Sequence, residues 1–335
     1  MAYDLSTHAK RFAPQYGEHG FADHLPMAVT ALRALGASES DVDAFAKRYA
    51  KSLKRKKIGA KTIDELLLST RIGDPTVYPL AFNFFLEALE RDGRAYVLGK
   101  YLPELINAIA TAAFHGVIRT AFGFIADEDA EIAAGLAYWW AHAETVSFSI
   151  SIGAANNDHE TLIADVAAAF ARHRKKLKLD QPTISARIAE IYSHPQISAV
   201  LNRAAAADVS FDNIAATALR LYLAAGDFTA LHCVTGAHAA RILSESVVMD
   251  DADLRKALWS AICAAYASVG APSLPAFTPA PSGAPDWHVI SSAAQSATDE
   301  HDIKFAYACM EEARQYGRDA LYRYAACVRL GLLGA

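Results

Sequence analysis

The chain has 335 residues, 53% of them apolar and 21% charged, with a net charge of −5 when histidine is neutral. That is too apolar for a disordered chain, and the acidic balance lacks the basic face that a nucleic-acid partner requires. Four scattered cysteines, Cys233, Cys263, Cys309 and Cys327, form no C-x-x-C pair; they exclude a disulfide framework and read as small buried hydrophobes in a reduced, cytoplasmic compartment.

The N-terminal MAYDLSTHAKRF has no apolar run, so no secretory signal is expected. The first helical pattern runs from Pro26 to Leu35, with Met27, Ala31, Leu32 and Leu35 on one face. The basic run Lys51 to Lys57 reads as a solvated segment. Asp74-Pro75 pairs an N-cap with proline at a first helical position, opening a helix to about Arg91 that Gly93 ends. Further helices are expected at about 100–124, 128–150, 158–176, 183–192, 195–206, 210–225, 228–246, 250–268, 288–297, 299–315 and 318–331. Acidic Asp127, Glu128, Asp129 and Glu131 fit the first turn of one of them. Ile132 to Ala155 is the most hydrophobic stretch, but His142, Glu144 and several serines make it too polar for a membrane span. The second basic run, Arg172 to Lys178, again reads as solvated. A loop over about 270–285 holds five of the twelve prolines and reads as a surface excursion. No alternating strand pattern is present. The expectation is an all-α fold: one large multi-helix domain of packed helical pairs spanning 1–335.

No G-x-G-x-x-G follows a strand, and P-loop, H-E-x-x-H, E-x-x-H and G-x-S-x-G motifs are missing. Any chemistry therefore comes from residues dispersed over several helices. Twelve histidines are the best candidates. His8, His19, His159, His173 and His194 sit in polar or terminal contexts and read as surface residues. Others lie in apolar helices, where an imidazole must find a partner. His24 sits just before the helix that Pro26 opens. His115 lies among small residues, with Arg119 four residues on and sharing its face. His232 and His238 share a helix but point about 120° apart, so both cannot ligate one ion squarely. His301 and Lys304 share a face one turn apart. An ion pair with Glu300 is the ordinary alternative for Lys304. Tyr138, Trp139, Trp140, Phe82 and Phe85 read first as core.

Five short segments in order, FADHLPMA, AFHGVIRTAF, LAYWW, LHCVTGAHA and DEHDIKFAYAC, span most of the chain. Together they resemble the questin oxidase family. Fungal members of that family open the quinone ring of anthraquinones oxidatively. The resemblance implies a non-haem Fe2+ site built from four histidines and a carboxylated lysine. Motif by motif, these are His24, His115, His232 and His301, with Lys304 taking up CO2. His238 has no secure counterpart and is expected outside the ligand set, facing either a substrate cavity or solvent, and Arg119 reads either as binding a phenolate or as one half of a structural ion pair; both are candidate catalytic residues. The implied partners are a small aromatic substrate and O2, with no nucleic acid and no membrane. The ligand set is also sensible chemically. Four neutral imidazoles leave both iron charges uncompensated. A buried lysine near a cation favours its neutral amine, the form that captures CO2 to give an anionic carbamate. Two other readings stand beside this one: an NADPH-dependent Baeyer–Villiger-type monooxygenase, and a non-catalytic helical binding protein.

Overall fold

A computed structural model describes residues 2–18, 20–56, 59–144, 158–246, 251–276 and 284–333. The described residues form seventeen α-helices and one minimal hairpin, so the all-α expectation is met. In chain order the helices are α1 (Leu5–Arg11), α2 (Leu25–Ala34), α3 (Glu39–Tyr49), α4 (Glu65–Ser69), α5 (Tyr78–Asp92) and α6 (Arg94–Leu105). Next come α7 (His115–Ile125), α8 (Asp129–Ala141), α9 (His159–His173), α10 (Ile184–Ser193), α11 (Pro195–Ala205) and α12 (Phe211–Ala225). The last five are α13 (Phe228–Glu245), α14 (Ala252–Ser268), α15 (Trp287–Gln295), α16 (Glu300–Tyr316) and α17 (Asp319–Leu330). Strands β1 (Gln15–Tyr16) and β2 (Phe21–Ala22) pair antiparallel just ahead of α2.

Most boundaries fall within two or three residues of the sequence expectation, because caps mark them. Asp74 accepts from the Thr76 amide, and a short 3-10 turn leads into α5, which stops at Gly93 with φ of 80°. Two expectations need correction. The helix foreseen over 100–124 is broken: α6 ends at Leu105, a 3-10 turn follows, and α7 begins only at His115. Ala112, Ala113 and Phe114 carry φ of 48°, 56° and 64°, three consecutive left-handed residues without a glycine. Such backbone costs roughly 1–2 kcal/mol per residue and persists only where its surroundings impose it. The helix foreseen over 128–150 ends at Ala141, where His142 caps it; its stretch beyond 144 and the centre of the proline-rich loop (277–283) lie outside the described residues.

Backbone contacts group into two compact units. The first comprises Met1–Val97, His115–His142 and Thr278–Ala335; the second comprises Leu98–Phe114 and Ala143–Phe277. In the first unit, α8 is buried at every position from Ala130 to Ala141. A helix apolar all round belongs at a centre, and α1, α5 and α7 pack on it. In the second unit, α13 is buried from Thr229 to Arg241 and packs on α12 and α14. The four cysteines are free and buried, as expected. No described helix is long and apolar enough to cross a membrane.

The α7–α8 pair is the closest packing in the first unit. A Cβ on Gly116 would fall 2.4 Å from Trp139 Cγ, one on Gly123 2.6 Å from the Ile132 amide nitrogen, and one on Gly135 2.4 Å from the Thr120 amide nitrogen. These contacts run antiparallel: the two backbones touch at Gly123 and Gly135, and the Trp139 side chain lies against Gly116. Gly135→Ala should therefore destabilise the protein by about 1–3 kcal/mol or more, read as a lowered denaturation midpoint. A surface-like change below about 0.5 kcal/mol would mean that this contact is loose.

Candidate metal centre

Three candidate residues of the first unit sit at helix beginnings. His24 is the N-cap of α2, His115 the first residue of α7 and His301 the second residue of α16. Helix α2 packs against both α7 and α16, which brings these ends together. The His24 and His115 rings lie with centroids 4.5 Å apart and planes at 87°, and the His24 and His301 rings 4.6 Å apart. His24 Nε2 is 2.7 Å from His115 Nε2. Two nitrogens bound cis to one octahedral ion at about 2.1 Å stand roughly 3 Å apart, so this pair needs to separate by only a few tenths of an ångström.

The other ring edges are fixed by oxygen acceptors. His24 Nδ1 donates to the Ala22 carbonyl at 2.5 Å, which β2 holds just before the cap. His301 Nδ1 donates to Asp299 Oδ1 at 2.9 Å, and the same oxygen caps α16 through the His301 amide. In the second unit, buried His232 donates Nδ1 to the Phe228 carbonyl at 2.6 Å, one turn back along α13. A neutral imidazole that donates from Nδ1 carries its lone pair on Nε2. Each of the three rings is thus set in the tautomer that a metal ligand uses, by the kind of partner that such ligands keep.

Lys304 follows His301 by one turn and is 1% exposed. Burial lowers its pKa to about 7, although the carboxylates of Glu300, Asp299 and Asp23 pull the other way. Glu300 acts on Lys304 through its charge, while its Oε1 lies 3.5 Å from His301 Nδ1 and 3.9 Å from His24 Nδ1. Ligand atoms of His24, Glu300 and His301 all lie within 4.8 Å of one another, a spacing that can hold a metal ion.

Arg119 is buried, with its guanidinium 3.0 Å from Glu131 of α8, also buried. Burial opposes the charge of Arg119, but Glu131, Tyr78 and Asp23 outweigh it and raise its pKa. Of the two roles read for Arg119, the structural ion pair is the one the geometry displays. His238 is fully buried on α13, which removes solvent exposure from its readings. The aromatic residues are core: Phe82, Phe85, Tyr138, Trp139 and Trp140 are all buried, and Trp140 donates its indole N–H to the Leu68 carbonyl.

His8 corrects the surface expectation. It is 1% exposed and donates from Nε2 to Asp23 at 2.6 Å, while Tyr3 reaches its Nδ1 at 2.7 Å. Burial works against the charge of Asp23, but His8, Arg119 and the Leu25 amide together outweigh it and hold the carboxyl below its usual range. His19 lies outside the described residues. Sequence reasoning missed Asp23, Tyr49 and Asp299 around the site, and read Glu300 only as a partner for Lys304. Asp299 was findable, since an Asp two residues before a histidine at a helix start is an N-cap signature; Tyr49 is reached only through the fold.

A family model described as Questin oxidase-like matches residues 21–309. The chain belongs to that family. The match takes in His24, His115, His232, His301 and Lys304, and it runs through both compact units. Questin oxidase-like membership points to an oxidoreductase. No curated protein sequence matches the chain.

Proposed function

We propose that this protein is a non-haem iron oxygenase that cleaves or oxygenates an aromatic ring of the anthraquinone or polyketide kind with O2. The observation that carries the proposal is the repeated tautomer lock, in which His24, His232 and His301 each give Nδ1–H to an oxygen and keep the Nε2 lone pair. The donor set fits ferrous iron: neutral imidazoles suit it, and an anionic oxygen ligand compensates its charge. His24, His115 and His301 hold the ion in this reading, with Lys304, carboxylated by CO2, as the anion. The family resemblance implies His232 as a further ligand, and its own ring carries the tautomer that a ligand uses. When bound, Fe2+ supplies activation of O2.

The chain's own groups do the rest. Lys304, buried and with a pKa near 7, offers the neutral amine that CO2 needs. His238 is turned about 120° from His232 on α13 and is proposed to meet the aromatic substrate rather than the ion. Arg119 is assigned the structural pairing with Glu131 and no contact with substrate. A nicotinamide site of the Rossmann kind needs parallel βαβ units, so the proposed reaction runs without NADPH in the protein itself.

Protein purified from iron-replete cells should hold close to one iron per chain, and His115→Ala and His301→Ala should each abolish its retention. Elemental analysis checks this; full iron content in both variants would contradict the ligand assignment. Loaded protein should consume O2 with an anthraquinone-type hydroquinone and no nicotinamide. Strict dependence on NADPH with ferrous iron present would favour the Baeyer–Villiger-type alternative.

A further inference from the structure

Three helix N-termini meeting at a cation are an electrostatic problem, because each presents the positive end of its dipole. The first unit places three carboxylates there. Two are fixed by hydrogen bonds of 3.0 Å or less. Asp23 accepts from His8 and from the Leu25 amide that opens α2. Asp299 caps α16, holds His301 and pairs with Arg329 at 3.0 Å. Glu300 is placed differently. Its Oε1 faces the Nδ1 edge of two imidazoles on two helices, at 3.5 Å from His301 and 3.9 Å from His24. Its side chain is 14% exposed, so the charge is poorly screened.

A hydroxyl chain reaches that carboxylate. Tyr49 OH donates to Glu300 Oε1 and accepts the His24 amide, both in long hydrogen bonds of 3.5 and 3.4 Å. Tyr16 OH lies 3.0 Å from Tyr49 OH. Tyr49 therefore touches both the cap of α2 and the start of α16. Direct ligation by Glu300 is the weaker possibility. The imidazole edges that it faces are the Nδ1 edges, which already donate to Ala22 and Asp299.

Resting on the iron reading above, we propose that Glu300 is a positioning carboxylate of the metal centre: held by Tyr49, it acts on His24 and His301 at once and tunes the affinity and reduction potential of the ion. A negative charge behind an imidazole makes its opposite nitrogen a stronger donor and favours the higher oxidation state. Glu300→Gln keeps the shape and removes the charge. Glu300→Asp keeps the charge and draws it back. Tyr49→Phe removes the hydroxyl that places it.

The test measures Fe2+ affinity by chelator competition and the midpoint potential of bound iron, in wild type and these variants, with His24→Ala as reference. Glu300→Gln should bind Fe2+ about 10–100-fold more weakly, with a more positive potential. A tenfold loss in the preference for ferric over ferrous iron reads as about 59 mV. Tyr49→Phe should shift the potential the same way by less, and Glu300→Asp should restore part of it. A purely structural Glu300 would lower the melting temperature and leave the potential in place. Should Glu300→Gln fail to fold, unchanged potentials in both Tyr49→Phe and Glu300→Asp overturn the proposal. Wild-type affinity and potential in Glu300→Gln, with iron lost from His24→Ala, overturn it while the oxygenase reading stands. Stoichiometric iron in His24→Ala removes the reading beneath it.

Discussion

Glu131→Ala should cost the protein about 3–5 kcal/mol of stability, one of the largest losses expected from a single substitution outside the candidate site. The reason is what stays behind. Arg119 is 4% exposed, on a helix whose backbone touches α8, and Glu131 is the carboxylate that its guanidinium meets at 3.0 Å. Removing one partner of a buried pair strands the other charge without water. The intact pair contributes far less than that loss suggests, since both groups were desolvated to form it. Burial lifts the Glu131 carboxyl above its ordinary range even though Arg119 pulls it down. The double variant Arg119→Met with Glu131→Met should therefore recover most of the loss. Urea unfolding of the two single variants and the double variant, taken as a cycle, measures this. A loss below about 1 kcal/mol in Glu131→Ala would mean that water reaches Arg119 after all.

Much of this fold is written in local chemistry, and α12 shows why. Ser210 caps its start by accepting from the Asn213 amide, Gly226 in the left-handed region ends it, and the apolar face lies between. The same logic located α13 and α16 and so placed His232 and His301 on the right helices. Where no cap chemistry exists, the sequence is silent. The break before His115 passes through Thr111, Ala112, Ala113 and Phe114, residues that read as continuing helix. Tertiary contacts override that preference, and they make His115 a helix-opening residue rather than a mid-helix one. His8 failed for the opposite reason. Its neighbours in sequence are polar, but its partner Asp23 arrives from fifteen residues away. Tyr49 and Glu300 meet across 251 residues, which no local pattern records.

Lys304→Met should raise the stability of the metal-free protein, by an amount that depends on pH. The Lys304 pKa falls from 10.5 to about 7 on folding, because burial penalises the ammonium more than Glu300, Asp299 and Asp23 favour it. Between pH 7 and 10.5 the unfolded chain therefore binds a proton that the folded chain has released, and stability rises with pH across that window. Below pH 7 both states are protonated and the penalty is at its full size, on the order of 5 kcal/mol. Methionine removes the charge at similar length, so the variant's advantage should be largest below pH 7 and should fade toward pH 10. Denaturation midpoints at pH 6, 8 and 10 check the sign; an advantage that grows with pH would refute it. The same substitution should remove the carbamate on which the proposed ion depends. Wild-type protein should then bind Fe2+ more tightly in bicarbonate than in CO2-free buffer, and Lys304→Met should be indifferent to it. A side chain whose removal stabilises the fold while weakening metal binding is held in place for function, since packing alone would have discarded it.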